Sequence, residues 1–268
     1  MSPLARPTAA FFDLDKTIIA KSSTLAFSRP FQAGGLITRG AMLRSAYAQF
    51  VYLVGGADHD QMEKMRQFMS ELCSGWDVQT VRDIVADTLH NIVEPLVYDE
   101  AVHLIEEHHA AGRDVIIVST SGSEVVEPIG ELLGADHVVA TRMAVENGRY
   151  TGEIRFYAYA ENKAKAVQDL ARKRGYDLAR SYAYSDSVTD VSMLESVGHP
   201  HAVNPDKELR RIARERDWPV LLFDRPVALR SRVRMPPAKP TLAVLTFGGA
   251  VAVGGAIWAN ARRRKGRT

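Results

Sequence analysis

Ala9-Ala10-Phe11-Phe12 form a short, unbroken apolar run that ends in Asp13-Leu14-Asp15-Lys16-Thr17. Such a run predicts a buried strand whose last residues emerge at the carboxyl edge of a sheet. After Thr17 the apolar residues fall at helical spacing over 36–54, 58–73 and 77–93, with breaks at Gly34-Gly35, Gly55-Gly56 and Ser74-Gly75. An all-helical insertion over 20–94 is expected, with Tyr47, Phe50 and Tyr52 lining its core or groove. Pro95 to Gly112 predicts a further helix, and Arg113–Gly122 a second buried strand running into a small polar loop. A helix over 123–133, a strand at 138–141 and a hairpin over 145–151 follow, the last because Asn147-Gly148 accepts the positive φ angles of a tight turn.

Glu161 to about Arg174 predicts a helix, and 182–190 a third strand ending in acids, followed by a helix to Val197. A last strand near 200–203 meets Asn204-Pro205-Asp206, which caps a helix over 207–216. His103, His108 and His109 are expected on a solvated helix face, and His199 and His201 as structural or solvated residues. The alternation of strands and helices outside 20–94 predicts an α/β fold with a parallel sheet. Its core spans 8–19 and 95–224 and its helical cap 20–94; a basic, Pro-rich linker (225–240), an uncharged run (241–259) and a basic tail (260–268) follow.

The chain has 268 residues, 46% of them hydrophobic and 25% charged, which is ordinary globular composition. One cysteine, Cys73, excludes an intrachain disulfide framework and reads as a small core hydrophobe. No secretion signal is expected, because the first apolar run meets Asp13 almost at once. The formal net charge of +2 hides an asymmetry: ten Lys or Arg and no acid lie from Arg225 onward, so residues 1–224 carry 24 bases against 32 acids. An acidic body is a poor nucleic-acid binder, while the basic tail suits an anionic membrane surface or a polyanion. A helix over 241–259 would be roughly 30 Å long, about the thickness of the hydrocarbon core, and is a candidate transmembrane anchor with Trp258 at its interface; the alternative is a buried or interfacial helix, since Gly248, Gly249, Gly254 and Gly255 make the run weakly apolar. Five bases precede the run and five follow it, so it has no preferred orientation.

Asp13 and Asp15 start on the same side of the chain, and two carboxylates that close repel unless a cation or proton intervenes. In a parallel sheet the ends carrying Asp13, Asp15, Ser119, Asp186 and Asp190, with Lys163 at a helix start, lie along one edge. Together they suit phosphate chemistry. A carboxylate, Asp13, can attack phosphorus in line, and Asp15 can protonate the leaving alcohol and later take a proton from water. Asp13 and Asp186 would hold Mg²⁺, which takes oxygen ligands. Lys163 would supply fixed positive charge, and Ser119 with the Thr120 loop would bind phosphate oxygens. Asp190 would support the metal waters or Lys163.

In these residues the chain resembles the haloacid dehalogenase superfamily, in its phosphoserine phosphatase-like branch. The four motifs stand in family order as Phe-Asp13-Leu-Asp15-Lys-Thr17, Val-Ser119-Thr-Ser-Gly, Lys163 and Ser-Asp186-Ser-Val-Thr-Asp190. The resemblance implies a Rossmann-like core, an inserted helical cap, Mg²⁺ held by Asp13, Asp186 and the backbone carbonyl of Asp15, and an aspartyl-phosphate intermediate. Where phosphoserine phosphatases place an acid for the substrate amine, this chain has Ile18-Ile19-Ala20-Lys21-Ser22-Ser23, which cannot neutralise an ammonium. The expected function is Mg²⁺-dependent hydrolysis of a small phosphomonoester or a phospholipid head-group phosphate by a cytoplasmic body held at a membrane. Two readings compete: a phosphotransferase or mutase using the same intermediate, and a membrane-tethered regulatory protein without turnover.

Overall fold

The computed structural model describes residues 6–38, 66–67 and 70–225. Its centre is a sheet of seven strands in the order β4-β3-β2-β1-β5-β6-β7. These are β1 (Ala9–Phe12), β2 (Asp114–Gly122), β3 (His137–Glu146), β4 (Arg149–Phe156), β5 (Tyr182–Ser185), β6 (His199–Val203) and β7 (Val220–Leu221). All neighbours pair in parallel except β3 and β4, the expected hairpin, whose turn residues Asn147 and Gly148 have φ of 50° and 76°.

Ala9–Phe12 of β1 and Val115–Val118 of β2 are apolar at every position because helices cover both faces. On one face Ala10, Phe12, Val115 and Ile117 share a core with α3 (Val78–Ile92), α4 (Asp99–Ala110) and α5 (Ser123–Leu133). On the other, Ala9, Phe11, Ile116 and Val118 pack with α6 (Glu161–Arg174), α7 (Val191–Glu195) and α8 (Lys207–Glu215). Two short helices, α1 (Ser23–Ala26) and α2 (Ser28–Ala33), follow β1, and Phe27 between them and Phe31 of α2 join the first core. The helix ends follow local chemistry: Asp77 caps α3 by accepting from Thr80 N at 2.9 Å, and α5 and α6 stop at Gly134 and Gly175, both left-handed.

Several expectations are refined. The α-helix expected over 95–112 begins at Asp99, because Glu94–Leu96 form a 3-10 turn and 97–98 are extended, and this segment braces the loop after β1: Ala20 N donates to Leu96 O (2.8 Å) and Tyr98 N to Ile18 O (2.9 Å). The strand expected over 182–190 stops at Ser185, and 188–190 form a 3-10 turn. Of the expected helical insertion, α1, α2, 70–73 and α3 are helical, whereas 36–38 are not; Tyr47, Phe50 and Tyr52 lie outside the described residues. Val81, Val85 and Leu89 of α3 bury in the same core as Phe12 and Ile117. The segment before α3 is also fastened to the hairpin. Gly75 N donates to Tyr150 O (2.8 Å), Tyr150 N to Trp76 O (3.0 Å) and Val78 N to Gly148 O (2.9 Å). Cys73 packs half-buried against this core. The candidate anchor 241–259, with nearly all of the linker and the tail, lies outside the described residues, among which no helix is long and apolar enough to cross a membrane.

His108 departs from expectation, since it is only 3% exposed. Its Nδ1 accepts from Arg113 Nη1 at 3.2 Å, which leaves the proton on Nε2 to donate to Tyr184 Oη at 2.9 Å. His103 is solvated, while His199 and His201 stack on Tyr182 and Tyr184. Burial, with the Arg113 charge and the neighbouring histidines, pushes His108 down from 6.5 to about 4. The unfolded chain therefore binds a proton here, between those values, that the folded chain does not. The ring's contribution to stability falls as pH drops through that window, by on the order of 2 kcal/mol between pH 7 and 5. His108→Gln should remove that part of the pH dependence, read as the difference between the two proteins in urea midpoints at pH 7 and 5. Identical pH dependence in both would show that the ring is not buried in its neutral form.

Candidate active site

β1 lies between β2 and β5, so the residues that follow these strands meet at one edge. Asp13 leaves β1 with its backbone N still bonded to Tyr184 O at 2.9 Å, and it is 6% exposed. Lys163, near the start of α6, reaches across to this edge. Its Nζ lies 2.6 Å from Asp13 Oδ1 and 2.8 Å from Asp190 Oδ2, and all three side chains are buried. The Ser185 hydroxyl donates to the same Asp190 oxygen at 2.7 Å and accepts from Ser187 N at 3.2 Å, which holds the turn after β5. Asp186, buried at this turn, lies close enough to Asp13 for the two charges to interact.

Asp15 faces a different set of groups. Oδ1 accepts from Ser23 N at 2.8 Å and Oδ2 from Ser121 Oγ at 3.3 Å, while the Ser23 and Ser121 hydroxyls lie 2.8 Å apart. Ser121 reaches Asp15 because β2 bulges: Ser119 pairs with Ala140 and Gly122 with Thr141, so Thr120 and Ser121 fall between. A bulge re-aims side chains in this way. Ser119 braces it by accepting from Ser121 N at 3.2 Å, which leaves its own proton to donate. The Thr120 hydroxyl instead donates to Ala158 O at 2.9 Å, so that side chain has no proton left for a phosphate oxygen.

The electrostatics follow from crowding. Burial pushes Asp13 up to about 7, against the attraction of Lys163 and with the repulsion of Asp190 and Asp15. Burial and then Asp13 push Asp186 up to about 8, against Lys16. Asp15 is raised by burial and held down in part by its bonds from Ser23 and Ser121. Burial alone would lower Lys163, but Asp13 and Asp190 outweigh it and hold the ammonium charged. Asp13, Asp186 and Asp190 thus share one buried lysine, a surplus of negative charge that a cation would relieve. Among the described residues no three His, Cys, Asp or Glu side chains form a ligand cluster. Two carboxylates and a backbone carbonyl are a hard, oxygen-only set, which fits Mg²⁺ better than metals that seek nitrogen or sulfur. Asp190 Oδ1 and Thr17 Oγ1 are buried with no hydrogen-bond partner among the described residues.

Asp13, Asp190 and Lys163 are thus brought into direct contact, with Asp186 beside them and Asp15 a short step away. Ser23, Ser121 and Ser185 are not among the residues that the sequence pattern singles out. Ser121 and Ser185 stood inside or beside the quoted motifs as small hydroxyls next to acids, which was the available signal.

This arrangement, with a parallel sheet, a buried Asp-Lys-Asp contact and a second acid two residues after the first, defines a class of hydrolase. Residues 10–195 match the family of haloacid dehalogenase-like hydrolases. The chain is 64% identical over 261 residues to an inhibition of morphological differentiation protein of Streptomyces azureus, covering 96% of this chain and 94% of that one. It is 57% identical to a probable phosphatase of Mycobacterium tuberculosis (98% and 91% covered) and 32% identical to a phosphoserine phosphatase of the same organism (99% and 83% covered). The chain belongs to the haloacid dehalogenase-like hydrolase family, and its relatives place it with that family's phosphatases.

Lys163→Met should leave the buried carboxylates without their cation and cost about 3 kcal/mol or more at pH 8. The loss should shrink by pH 5, where Asp13, with its pKa near 7, is protonated. Denaturant midpoints in EDTA at both pH values check this, and a cost independent of pH would refute the charge imbalance.

Proposed function

We propose that the protein is a Mg²⁺-dependent phosphomonoester hydrolase that works through an aspartyl-phosphate on Asp13. The observation that carries this reading is the division of labour between the two acids. Asp13 is held by the Lys163 ammonium at the strand edge, while Asp15 is turned to Ser23 and Ser121. Lys163 occupies Asp13 Oδ1, so Oδ2 is the attacking oxygen. It forms a bond to phosphorus as the ester P–O bond breaks, and Asp15 gives its proton to the departing alcohol oxygen. Burial raises Asp15, which makes its protonated form accessible for that step. Water then attacks phosphorus, Asp15 takes its proton, and phosphate leaves as the Asp13 carboxylate is restored. Ser119 donates to the phosphate oxygens, and Lys163 keeps positive charge beside them without having to move. Asp186, Asp13 and the Asp15 carbonyl would hold Mg²⁺, which when bound offsets the charge a dianionic phosphate brings to these carboxylates.

The same proposal takes 8–19 with 95–224 as the catalytic core and 20–94 as the cap that selects the substrate. No acid stands at Ile18–Ser23 to meet a substrate amine, which supports a substrate other than phosphoserine. The uncharged run 241–259 between basic clusters supports a membrane anchor and, with it, a phospholipid head-group phosphate as substrate.

Asp13→Asn should fold normally and lose roughly 10⁴-fold or more in kcat. Asp15→Asn should lose roughly 10²- to 10⁴-fold while Mg²⁺ affinity is kept. Phosphate release near the wild-type rate from Asp13→Asn, or activity that survives EDTA, would refute the mechanism. Adding a competing alcohol separates hydrolase from phosphotransferase: free phosphate should stay the product, and a transferred phosphoryl group would favour the other reading. Fractionation of full-length protein against 1–235 checks the anchor, which fails if the full-length chain is extracted without detergent.

A further inference from the structure

We propose that Asp206 is a positioning residue that sets the turn carrying Asp186, and so the affinity of the site for its metal. The inference rests on the metal reading of Asp13 and Asp186 given above. Asp206 opens α8, outside the quoted motifs, and its contacts reach both ways. Toward its own helix, Oδ1 accepts from Leu209 N at 2.7 Å, an ordinary N-cap. Toward the active site, Oδ2 accepts from Val188 N at 2.8 Å, and its backbone N donates to Asp186 O at 2.8 Å. The segment 186–190, which leads into and forms the 3-10 turn, is thereby clamped at two points, Asp186 and Val188, by one residue. The clamp is separate from the Ser185 hydroxyl, which fixes the Asp190 end of the same turn.

A helix cap needs only one carboxylate oxygen. The second oxygen goes to the amide two residues after Asp186, where a shift of the turn would swing that carboxylate away from Asp13. Groups that orient metal ligands in this way typically cost 10- to 100-fold in metal affinity when replaced.

Asp206→Asn separates the two roles. Asparagine caps a helix as well as aspartate does, so one oxygen can still serve Leu209 N, while its amide nitrogen would face the Val188 N–H and cannot accept from it. The readout is the Mg²⁺ dependence of melting temperature without substrate, which yields an apparent Kd independent of turnover. Asp206→Asn should melt close to wild type in EDTA and bind Mg²⁺ roughly tenfold more weakly. Asp77→Asn, the same exchange at the cap of α3 away from the site, should leave Mg²⁺ affinity unchanged. If Asp206→Asn does not fold, Asp206→Ser, which keeps a capping oxygen of shorter reach, takes its place with the same expectation. A Mg²⁺ titration of the Asp206 variant that superimposes on wild type, or an equal loss in Asp77→Asn, overturns the proposal. A wild-type protein whose melting temperature ignores Mg²⁺ overturns the metal reading itself, and this proposal with it.

Discussion

One buried ammonium organises the candidate site at the sheet edge. Lys163 carries its charge into a place where an unpaired cation would be very costly, and Asp13 and Asp190 make its burial tolerable. The exchange is unequal, because Asp186 adds a further carboxylate to a region with one nearby buried base. Neutral donors take up part of the difference: the Ser185 hydroxyl on Asp190, and the Ser23 amide and Ser121 hydroxyl on Asp15. Each is supplied by a different piece of chain, so the edge exists only when β1, β2, β5 and α6 are all in place.

The sheet makes this possible by being covered on both sides. Alternate residues of β1 and β2 go to different cores, which leaves their carboxyl ends as the places where polar side chains can emerge. The site is therefore a boundary effect. Strands buried on both faces end, and the residues just past the ends inherit a dry environment without an apolar side chain to fill it.

Much of this was legible in the sequence because the signals were local. An apolar run followed by Asp13 and Asp15, the Asn147-Gly148 turn and the acids after Tyr184 each combine composition with position within a few residues. What escaped was set by distant partners. His108 looked like its solvated neighbour His103, and only Tyr184, Arg113 and the sheet below make it a core residue. The bulge that turns Ser121 toward Asp15 arises from a register shift between β2 and β3, which hydrophobic pattern does not encode. The helix expected from Pro95 is interrupted at 97–98 for the same reason, since the backbone there pairs with the loop after β1. Asp206 was visible as a helix cap, but its second oxygen had a destination only the fold could supply.

The pairing of 75–78 with the β3-β4 hairpin has a consequence for how the chain comes to be folded. Gly75, Trp76 and Val78 bond to backbone at Gly148 and Tyr150, residues that follow them in the chain by the whole of α3, α4, β2, α5 and β3. During synthesis the limb leading into α3 therefore emerges long before its partner, and α3 presents Val81, Val85 and Leu89 to a sheet not yet assembled. Contacts so far apart in sequence form late, because closing the intervening loop costs entropy before any bond repays it. The hairpin thus serves as the last fastening of the returning limb. Until it has formed, the limb leading into α3 lacks these backbone bonds.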